Sequence, residues 1–443
     1  MLVFLENVLW FLLLIGVMIN IHELGHFWAA RFFDVKVEAF SFGFGTRLFG
    51  FRRGETDYRF SLMPLGGYVK MAGEQVTDEN IDDPRAFLSK PRWQRLIIAF
   101  AGPFMNIVLA IGVLTGLYMV KFQKVSDADM QTMIGHVMPD SPAAKAGIHD
   151  GDRIVRLDGK NNPTWEDVEL KEVEGAYRQL YVTVDRGGQR IDKVVTPTLS
   201  ERSGVGYAGW DVHGQIQVGD ADPNLPAAKA GLKKGDLILT VNGEPIHSQF
   251  KLYEITKNSN GKPVEVVYQR SGQTHTVSVQ PILSKLNGPE QWMIGVVPQQ
   301  KLNWITTRLS LPEALRESLR QNGKGAMLIV QFLKGVVERR MSAKTITGPI
   351  GIGQLAGDAG REGPSAFFML MSIVSLNLAI VNLLPIPIMD GGVILMLLVE
   401  MVMQRDLSLN VKEAVFKVGF VCIMLILAFV IYNDIARYVL PPG

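Results

Sequence analysis

The sequence Ile21-His22-Glu23-Leu24-Gly25-His26 places two histidines four residues apart, with a glutamate directly after the first. On a helix, residues four apart project from the same face, so the two imidazoles can bind one metal ion. Glu23 then lies beside that ion, where it can hold a water molecule. The stretch follows the pattern H-E-x-x-H and predicts zinc bound by His22 and His26.

The position of this motif at the end of an apolar segment favours a functional role. The motif alone does not, because five-residue matches also occur in soluble helices that bind no metal. Between Val3 and Asn20 the side chains are apolar apart from Glu6 and Asn7, which predicts most of a membrane span. Ionisable groups at the end of a hydrophobic helix are costly unless they are used. The segment has no basic start and no small-residue cleavage pattern, so we expect a retained span over residues 1–33 rather than a signal peptide.

Length and composition indicate a membrane protein with soluble parts. The chain has 443 residues, of which 47% are hydrophobic and 20% charged, a balance that a purely soluble enzyme rarely has. The net charge of +2 comes without a basic tract, which argues against nucleic-acid binding. The single cysteine, Cys422, lies in an apolar run, so an intrachain disulfide is impossible and cysteine is not expected as a ligand or nucleophile.

Arginine and lysine are frequent between Arg31 and Arg95 and absent before the first span. By the positive-inside rule, this loop is cytoplasmic and the N-terminus lies outside. Short alternating segments with turns at Gly54 and Gly66-Gly67 favour β-hairpins over residues 34–92, lying against the membrane close to the histidines. An ordinary surface loop fits the same pattern.

Three further apolar stretches complete the predicted membrane domain of four transmembrane helices, with the C-terminus outside. In the second span, Gly102 and Asn106 share a helix face and permit close packing against a neighbour. Ala326–Val337 is apolar but too short to span, which predicts an interfacial helix. The expected segments are a second span at 93–120, an interfacial amphipathic helical segment at 301–363, a third span at 364–388, a cytoplasmic-side helix and loop at 389–412, and a fourth span at 413–436.

The third span ends in Asn382-Leu383-Leu384-Pro385-Ile386-Pro387-Ile388-Met389-Asp390-Gly391-Gly392, where two prolines break the helix at membrane depth. Irregular backbone is tolerated there only where it lines a cavity or is buried in protein. Asp390 is the natural third zinc ligand, because a carboxylate oxygen completes two imidazoles and leaves one position open for water. Asp390 is alternatively the N-cap of a helix from Gly391 to Met403, and the two roles are compatible.

The polar region between the second and third spans contains an internal repeat. Pro142-Ala143-Ala144-Lys145-Ala146-Gly147 recurs as Pro226-Ala227-Ala228-Lys229-Ala230-Gly231, and each copy continues into a Gly-Asp pair, a strand and a turn. The period indicates two copies of one small domain, at residues 125–213 and 214–300. Five histidines fall in the copies without ligand spacing, and we interpret them as surface or core residues: His136, His149, His213, His247 and His275.

Each copy resembles the PDZ domains of bacterial proteases, which bind an extended peptide as an added strand at a sheet edge. The resemblance covers both copies. It implies peptide-carboxylate loops at Gly209-Trp210 and at Gly295-Val296, late in each copy. The copies would then bind peptides or cleaved substrate ends, or exclude substrates that still carry a bulky external domain.

Taken together, the motifs resemble those of the site-2 protease family. They are H-E-x-x-H in the first span, A-G-P-x-x-N from Ala101 to Asn106 in the second, the tandem PDZ copies, and N-x-x-P-x-P-x-x-D-G-G in the third. The resemblance implies an intramembrane metalloendopeptidase with zinc bound by His22, His26 and Asp390. It also implies Glu23 as the general base and Asn382 as an aid to substrate placement.

The resemblance further implies a location and a substrate class. It places the protein in a bacterial inner membrane, with the active site near the cytoplasmic face and the PDZ domains in the periplasm. The implied substrates are single-span membrane proteins, such as an anti-sigma factor already trimmed outside the membrane, cleaved in an envelope stress response. The expected fold is a polytopic α-helical membrane protein with four transmembrane helices, a membrane-associated β-hairpin region and two tandem PDZ domains of mixed α/β type.

A membrane substrate must be locally unwound before water can attack it, because helical peptide bonds are shielded. The β-like segment from Tyr58 to Met71 can offer a strand edge that holds the substrate extended, with Gly66, Gly67 and Tyr68 as candidate substrate-binding residues. The competing interpretation is a membrane-anchored PDZ scaffold with an inactive metal site, although every member of a working zinc site is present. A transporter is excluded, since no transporter-type repeat of spans is visible.

Overall fold

A computed structural model describes residues 2–74, 83–125, 132–200, 203–284 and 290–438. The chain divides into two compact units. The membrane unit comprises Met1–Phe122, Thr307–Val330 and Ile346–Leu440, and the repeat unit comprises Gln123–Thr306, Gln331–Thr345 and Pro441–Gly443.

The described chain contains long apolar helices at both ends and short helices between them. Four of the long helices, α1, α2, α9 and α11, have the length and apolar composition needed to cross a membrane, as the sequence predicts. In chain order the helices are α1 (Leu2–Phe32), α2 (Arg92–Val120), α3 (Pro142–Lys145), α4 (Trp165–Glu174), α5 (Pro226–Lys229), α6 (Gln249–Asn258), α7 (Leu311–Val337), α8 (Pro349–Glu362), α9 (Pro364–Asn382), α10 (Asp390–Met403) and α11 (Leu409–Tyr438).

The strands fall into one early pair and a long series in the repeat unit. They are β1 (Val37–Arg53), β2 (Thr56–Met71), β3 (Phe122–Val125), β4 (Ile134–Val137), β5 (Arg153–Leu157), β6 (Lys160–Asn161), β7 (Leu180–Arg186), β8 (Gln189–Val195), β9 (Thr198–Leu199), β10 (Gly206–Tyr207), β11 (Trp210–Val212), β12 (Gln215–Ala221), β13 (Leu237–Val241), β14 (Glu244–Pro245), β15 (Val264–Arg270), β16 (Gln273–Val279), β17 (Ile282–Ser284), β18 (Gln291–Met293), β19 (Val296–Lys301) and β20 (Trp304–Thr307).

In the membrane unit, small and hydroxylated residues bring three helices together. A Cβ added at Gly25 of α1 would lie 2.2 Å from the carbonyl oxygen of Ala101 in α2, so only glycine permits this approach. Helix α9 is held on α2 by Ser372 and Ser375, whose hydroxyls donate to the carbonyls of Ala110 at 2.9 Å and Asn106 at 2.8 Å. This packing sets α9, and the loop that follows it, beside the histidine-bearing end of α1.

The β region consists of the two long strands β1 and β2. Both bend, so Phe40 of β1 pairs with Val69 on one side and with Tyr58 on the other. The turn expected at Gly54 is present, where Gly54 takes a positive φ of 62°. The prediction of a turn at Gly66-Gly67 is wrong, because both residues lie inside β2 and Gly67 pairs with Phe42 of β1.

Three other predicted boundaries change. The helix expected from Ala326 begins at Leu311, because Leu311 to Gly325 continue the helical pattern as an amphipathic stretch. The fourth span begins at Leu409 rather than 413. Asp390 is the first residue of α10 and Met389 occupies its N-cap without a side-chain hydrogen bond, so the N-cap role suggested for Asp390 is wrong.

The repeat unit contains two copies of one arrangement, and the chain passes from the first copy to the second at His213-Gly214. The first repeat has the sheet order β6-β5-β7-β8 with β4 paired to β11, and the second has β16-β15-β13-β12-β19. The strand registers of the two repeats are equivalent, since Ile154 pairs with Val184 in the first and Ile238 pairs with Tyr268 in the second. Each has its own core, the first around Ile154 and the second around Ile238.

Candidate metal centre

His22 and His26 are buried on one face of α1, and their Nε2 atoms lie 3.2 Å apart. Asp390 reaches both, with Oδ2 3.1 Å from His22 Nε2 and Oδ1 3.5 Å from His26 Nε2. Zinc with tetrahedral ligands at its usual bond lengths places its donor atoms roughly 3.3–3.6 Å apart, so this set fits zinc. In the part of the chain that the structure describes, these residues form the only group of three His, Cys, Asp or Glu side chains arranged to hold a metal.

The second nitrogen of each imidazole is held by α2. His26 Nδ1 lies 2.8 Å from the carbonyl oxygen of Ile98, so Nδ1 carries the proton and Nε2 keeps its lone pair for a metal. His22 Nδ1 lies 3.3 Å from the amide of Asn106, whose Oδ1 is buried without a hydrogen-bond partner. A half-turn of this amide lets Oδ1 accept the Nδ1–H of His22, which satisfies Asn106 and frees His22 Nε2 as a ligand.

Gly102 of α2 leaves the space that a metal needs. A Cβ added there would lie 2.3 Å from His26 Nε2 and 2.8 Å from His22 Nε2. Zinc binds imidazole nitrogen at about 2.0–2.1 Å, so a side chain at this position would compete with the ion for the same space. The absence of a side chain at Gly102 is therefore part of the metal centre.

The loop between α9 and α10 carries Asp390 to the histidines. Pro385 and Pro387 prevent α9 from continuing, and the chain folds back tightly. A Cβ added at Gly391 would lie 2.2 Å from the carbonyl oxygen of Leu384, so the fold-back requires glycine there. Ile388 takes a φ of 85°, which is strained for a β-branched residue and is imposed by its surroundings.

Glu23 lies where the metal centre meets β2. A Cβ added at Gly67 of β2 would be 3.4 Å from Glu23 Cγ, so the strand passes directly beside the glutamate. His22, Glu23, His26, Tyr68 and Asp390 line one cavity of about 370 Å³. The cavity also reaches the buried Glu400, which pairs with Lys412 at 2.7 Å and lies 3.9 Å from Arg95.

The structure brings together most of the residues that the sequence indicates. Gly66 precedes Gly67 on β2, and the absence of a side chain at Gly66 makes room for the ring of Phe44. Asn382 is the last residue of α9 and does not line the cavity. Sequence reasoning assigned Gly102 and Asn106 to helix packing and missed their contact with the histidines, although their four-residue spacing on one face was the available signal.

Comparison with known proteins places these observations in a family. The family model described as Peptidase family M50 matches residues 10–426. The chain belongs to peptidase family M50. This membership confirms the predicted resemblance to site-2 proteases and the prediction of a zinc metalloprotease with several membrane helices.

Two relatives illustrate the similarity within peptidase family M50. The chain is 32% identical to the regulator of sigma-E protease RseP of Salmonella typhimurium, over 99% of this chain and 100% of that protein. It is 30% identical to a putative zinc metalloprotease of Neisseria meningitidis, over 98% of this chain and 99% of that protein.

Among solved structures, the PDZ domain of an SdrC-like protein from Listeria monocytogenes aligns with 19% of this chain and 87% of its own length, at 18% identity. The TM-score is 0.18, which is too low to support an argument about the fold.

Proposed function

We propose that His22, His26 and Asp390 hold the zinc of this intramembrane endopeptidase and that Glu23 is its general base. The observation that carries the proposal is the meeting of three donor atoms, within 4.8 Å of one another, at the space left by Gly102 in an apolar helix pair. Polar groups buried at this depth are costly and mark a functional site.

Zinc at this position would lower the pKa of a water molecule and polarise the scissile carbonyl. The remaining work falls to side chains of the chain itself. Ile98 and Asn106 fix the ring orientations of the two histidines, which keeps both Nε2 atoms directed at one point. Glu23 accepts the proton of the attacking water and passes it to the leaving amide nitrogen, so the peptide bond breaks without a free amide anion.

The substrate is extended along β2. A helical peptide bond is shielded by its own hydrogen bonds, and a strand edge offers backbone groups that replace them. The segment from Gly67 to Val69 is the stretch of β2 that passes Glu23, and Tyr68 faces the same cavity. Gly66, Gly67 and Tyr68 thus form the proposed binding edge, while Asn382 acts on the part of the substrate beyond the cavity.

The substrate class proposed is single-span membrane proteins that have lost their external domain. One relative is named for regulation of sigma-E, so an anti-sigma factor in an inner-membrane stress response is the physiological candidate. We place the metal centre near the cytoplasmic face and the repeat unit in the periplasm, because the basic loop between Arg31 and Arg95 follows the first span.

The two repeats are proposed to be PDZ domains that act together on substrate access. Hydrogen bonds across their junction support this role. Asp211 of the first repeat accepts hydrogen bonds from Ser248 Oγ at 2.7 Å and Gln249 N at 2.9 Å in the second. His136 of the first lies 2.9 Å from Glu254 of the second. A rigid pair excludes bulky domains better than two independently moving modules would.

The proposed function is tested with purified protein and a model single-span substrate, prepared with and without its external domain. Cleavage of the trimmed substrate should be abolished by His22→Ala or Asp390→Ala, and bound zinc should be lost with it. Asn20→Ala is the matched control on α1, since its side chain bonds only Gly16 of its own helix. A protein that cuts normally after loss of Asp390 would refute the ligand set.

Orientation is tested separately by thiol labelling in intact cells. In a Cys422→Ser background, a cysteine replacing the exposed Arg190 of β8 should react with a membrane-impermeant maleimide once the outer membrane is opened. A cysteine replacing the exposed Arg53 of β1 should stay unlabelled until the inner membrane is broken. The opposite pattern would overturn the proposed topology.

A further inference from the structure

Both repeats build the same backbone loop at the position predicted to bind a peptide carboxylate. Gly209 and Gly295 take positive φ values of 85° and 83°, and each packs on the equivalent residue, Ser141 or Leu225. In each loop, the carbonyl of the residue before the glycine accepts an equivalent hydrogen bond. The amide of Ala143 donates to the Ala208 carbonyl at 2.9 Å, and the amide of Ala227 donates to the Ile294 carbonyl at 2.8 Å. The two loops therefore differ in what faces them and not in their backbone.

In the first repeat, the side chain of Glu172 on α4 reaches into this loop. The amide of Ala208 donates to Oε1 at 2.6 Å, and the indole Nε1 of Trp210 donates to Oε2 at 2.7 Å. Burial raises the pKa of this carboxyl to about 7, although hydrogen bonds from Ala208, Trp210 and Gly209 act to lower it. A carboxylate held by the loop's own N–H groups reproduces the interaction that a peptide C-terminus would make.

Helix α4 and strand β10, which leads into the loop, are also in contact in the first repeat. A Cβ added at Gly206 of β10 would lie 2.0 Å from the carbonyl oxygen of Glu172 and 2.9 Å from the amide of Ala176. The end of α4 that carries Glu172 therefore lies directly against β10. The first repeat thus has its carboxylate loop occupied by the side chain of Glu172.

The second repeat differs at the matching positions. Thr256 stands where the first repeat has Glu172, and its hydroxyl donates to the carbonyl of Leu252 within α6. Trp292 stands where the first repeat has Gly206, and its ring packs against Gly261. A recess of about 20 Å³ remains between α6 and the loop, lined in part by Thr256 and Ile294. Among the described residues, no side chain accepts a hydrogen bond from the amides of Ile294 and Gly295.

We propose that Glu172 is an internal ligand that fills the carboxylate loop of the first repeat, so that only the second repeat accepts the C-terminus of another chain. This inference rests on the proposed assignment of the repeats as PDZ domains. Glu172 is then a specificity-determining residue, since its presence decides which copy reads a cleaved substrate end. Recognition of a trimmed end then falls to the second copy, while exclusion of a bulky domain falls to the pair.

The test is an exchange of the two matching side chains in the full-length protein in detergent. The probe is a fluorescent hexapeptide ending in valine with a free α-carboxylate, and the same peptide with a C-terminal amide is the control. Glu172→Thr should add one peptide site per chain, Thr256→Glu should remove one, and the double exchange should restore the original number. Glu172→Gln keeps an oxygen acceptor in the loop and should leave the number unchanged.

Folding is checked on the same samples by ¹⁹F signals of fluorinated Trp210 and Trp292, one in each repeat. If Glu172→Thr is folded and the number of peptide sites does not rise, the internal-ligand proposal is wrong. Retention of all binding by folded Thr256→Glu would contradict it independently. Zinc content and cleavage are measured alongside, so a failure of the proposed metal centre shows as lost activity while the peptide counts still follow the exchange.

Discussion

At the candidate metal centre, two buried imidazoles have their Nε2 atoms 3.2 Å apart. In each repeat, by contrast, an arginine donates a hydrogen bond to each of the two carboxylate oxygens of a buried aspartate. Asp152 accepts from Arg186 Nε at 2.7 Å and from its terminal nitrogen at 2.8 Å. Asp236 is bound in the same way by Arg270, at 2.7 and 2.6 Å. Burial of polar groups costs free energy at the candidate metal centre, at Asp152 and at Asp236, but the interaction that offsets this cost differs between the metal centre and the two repeats.

The difference shows how structural and functional polar groups can be told apart. In the repeats, the chain itself supplies the counter-charge, so the aspartates stabilise a fold and leave no bonding capacity free. In the membrane unit, the two Nε2 atoms and the Asp390 carboxylate converge on one point, and the proposed compensation is a bound cation.

The largest effect is expected from Gly102→Ala. The added methyl would lie 2.3 Å from His26 Nε2, in the space assigned to zinc, so both bound zinc and cleavage should fall at least about a hundredfold. Gly112→Ala on the same helix is the control, because nothing lies within 4 Å of its Cβ position. Zinc by mass spectrometry and substrate cleavage are the measurements. Normal zinc content in Gly102→Ala would remove the main geometric argument for the site.

An intermediate effect is expected from Asn106→Ala, which removes the partner of His22 Nδ1. Loss of such an orienting group usually costs roughly 10–100-fold in metal affinity or activity. Asn106→Asp keeps an oxygen acceptor and should lose less zinc affinity than Asn106→Ala. Competition with a zinc chelator gives the affinities, and equal losses in the two variants would show that the acceptor oxygen is not what matters.

The smallest effect on catalysis, and a clear one on stability, is expected from Asp236→Asn. Burial raises the pKa of Asp236, but hydrogen bonds from Arg270 outweigh it, so the pKa lies below its ordinary value. The ionised pair therefore stabilises the second repeat above about pH 4, and this contribution is lost as the pH falls through the lowered pKa. Asp236→Asn should cost about 1.5–3 kcal/mol at pH 7 and flatten the acid dependence.

Urea unfolding followed by fluorinated Trp292 measures this change, and Trp210 in the first repeat serves as the internal reference. Zinc content should stay unchanged, because Asp236 belongs to the repeat unit. An Asp236→Asn protein that loses zinc but keeps its stability would reverse the distinction drawn between the two kinds of buried carboxylate.

Local patterns were sufficient to predict the apolar helices, the repeat and the three side chains that converge at the candidate metal centre, because each has a short signal in the sequence. The role of Gly102 could not be predicted in the same way, since it depends on how closely α1 approaches α2. The pairing of β1 with two parts of β2 requires both strands to bend, and periodicity alone gives no sign of it. The role of Glu172 could not be predicted from the sequence either, because it depends on the contact between this side chain and the loop at Ala208.

Glu23 is proposed to move the proton in a zinc site held by His22, His26 and Asp390. The most direct test is Glu23→Gln in the full-length protein, with zinc content and cleavage of a trimmed single-span substrate measured on one sample. Zinc should be bound as in the unmodified protein, and cleavage should fall by about 10²–10⁴-fold. Cleavage at the unmodified rate, with zinc still bound, would contradict it.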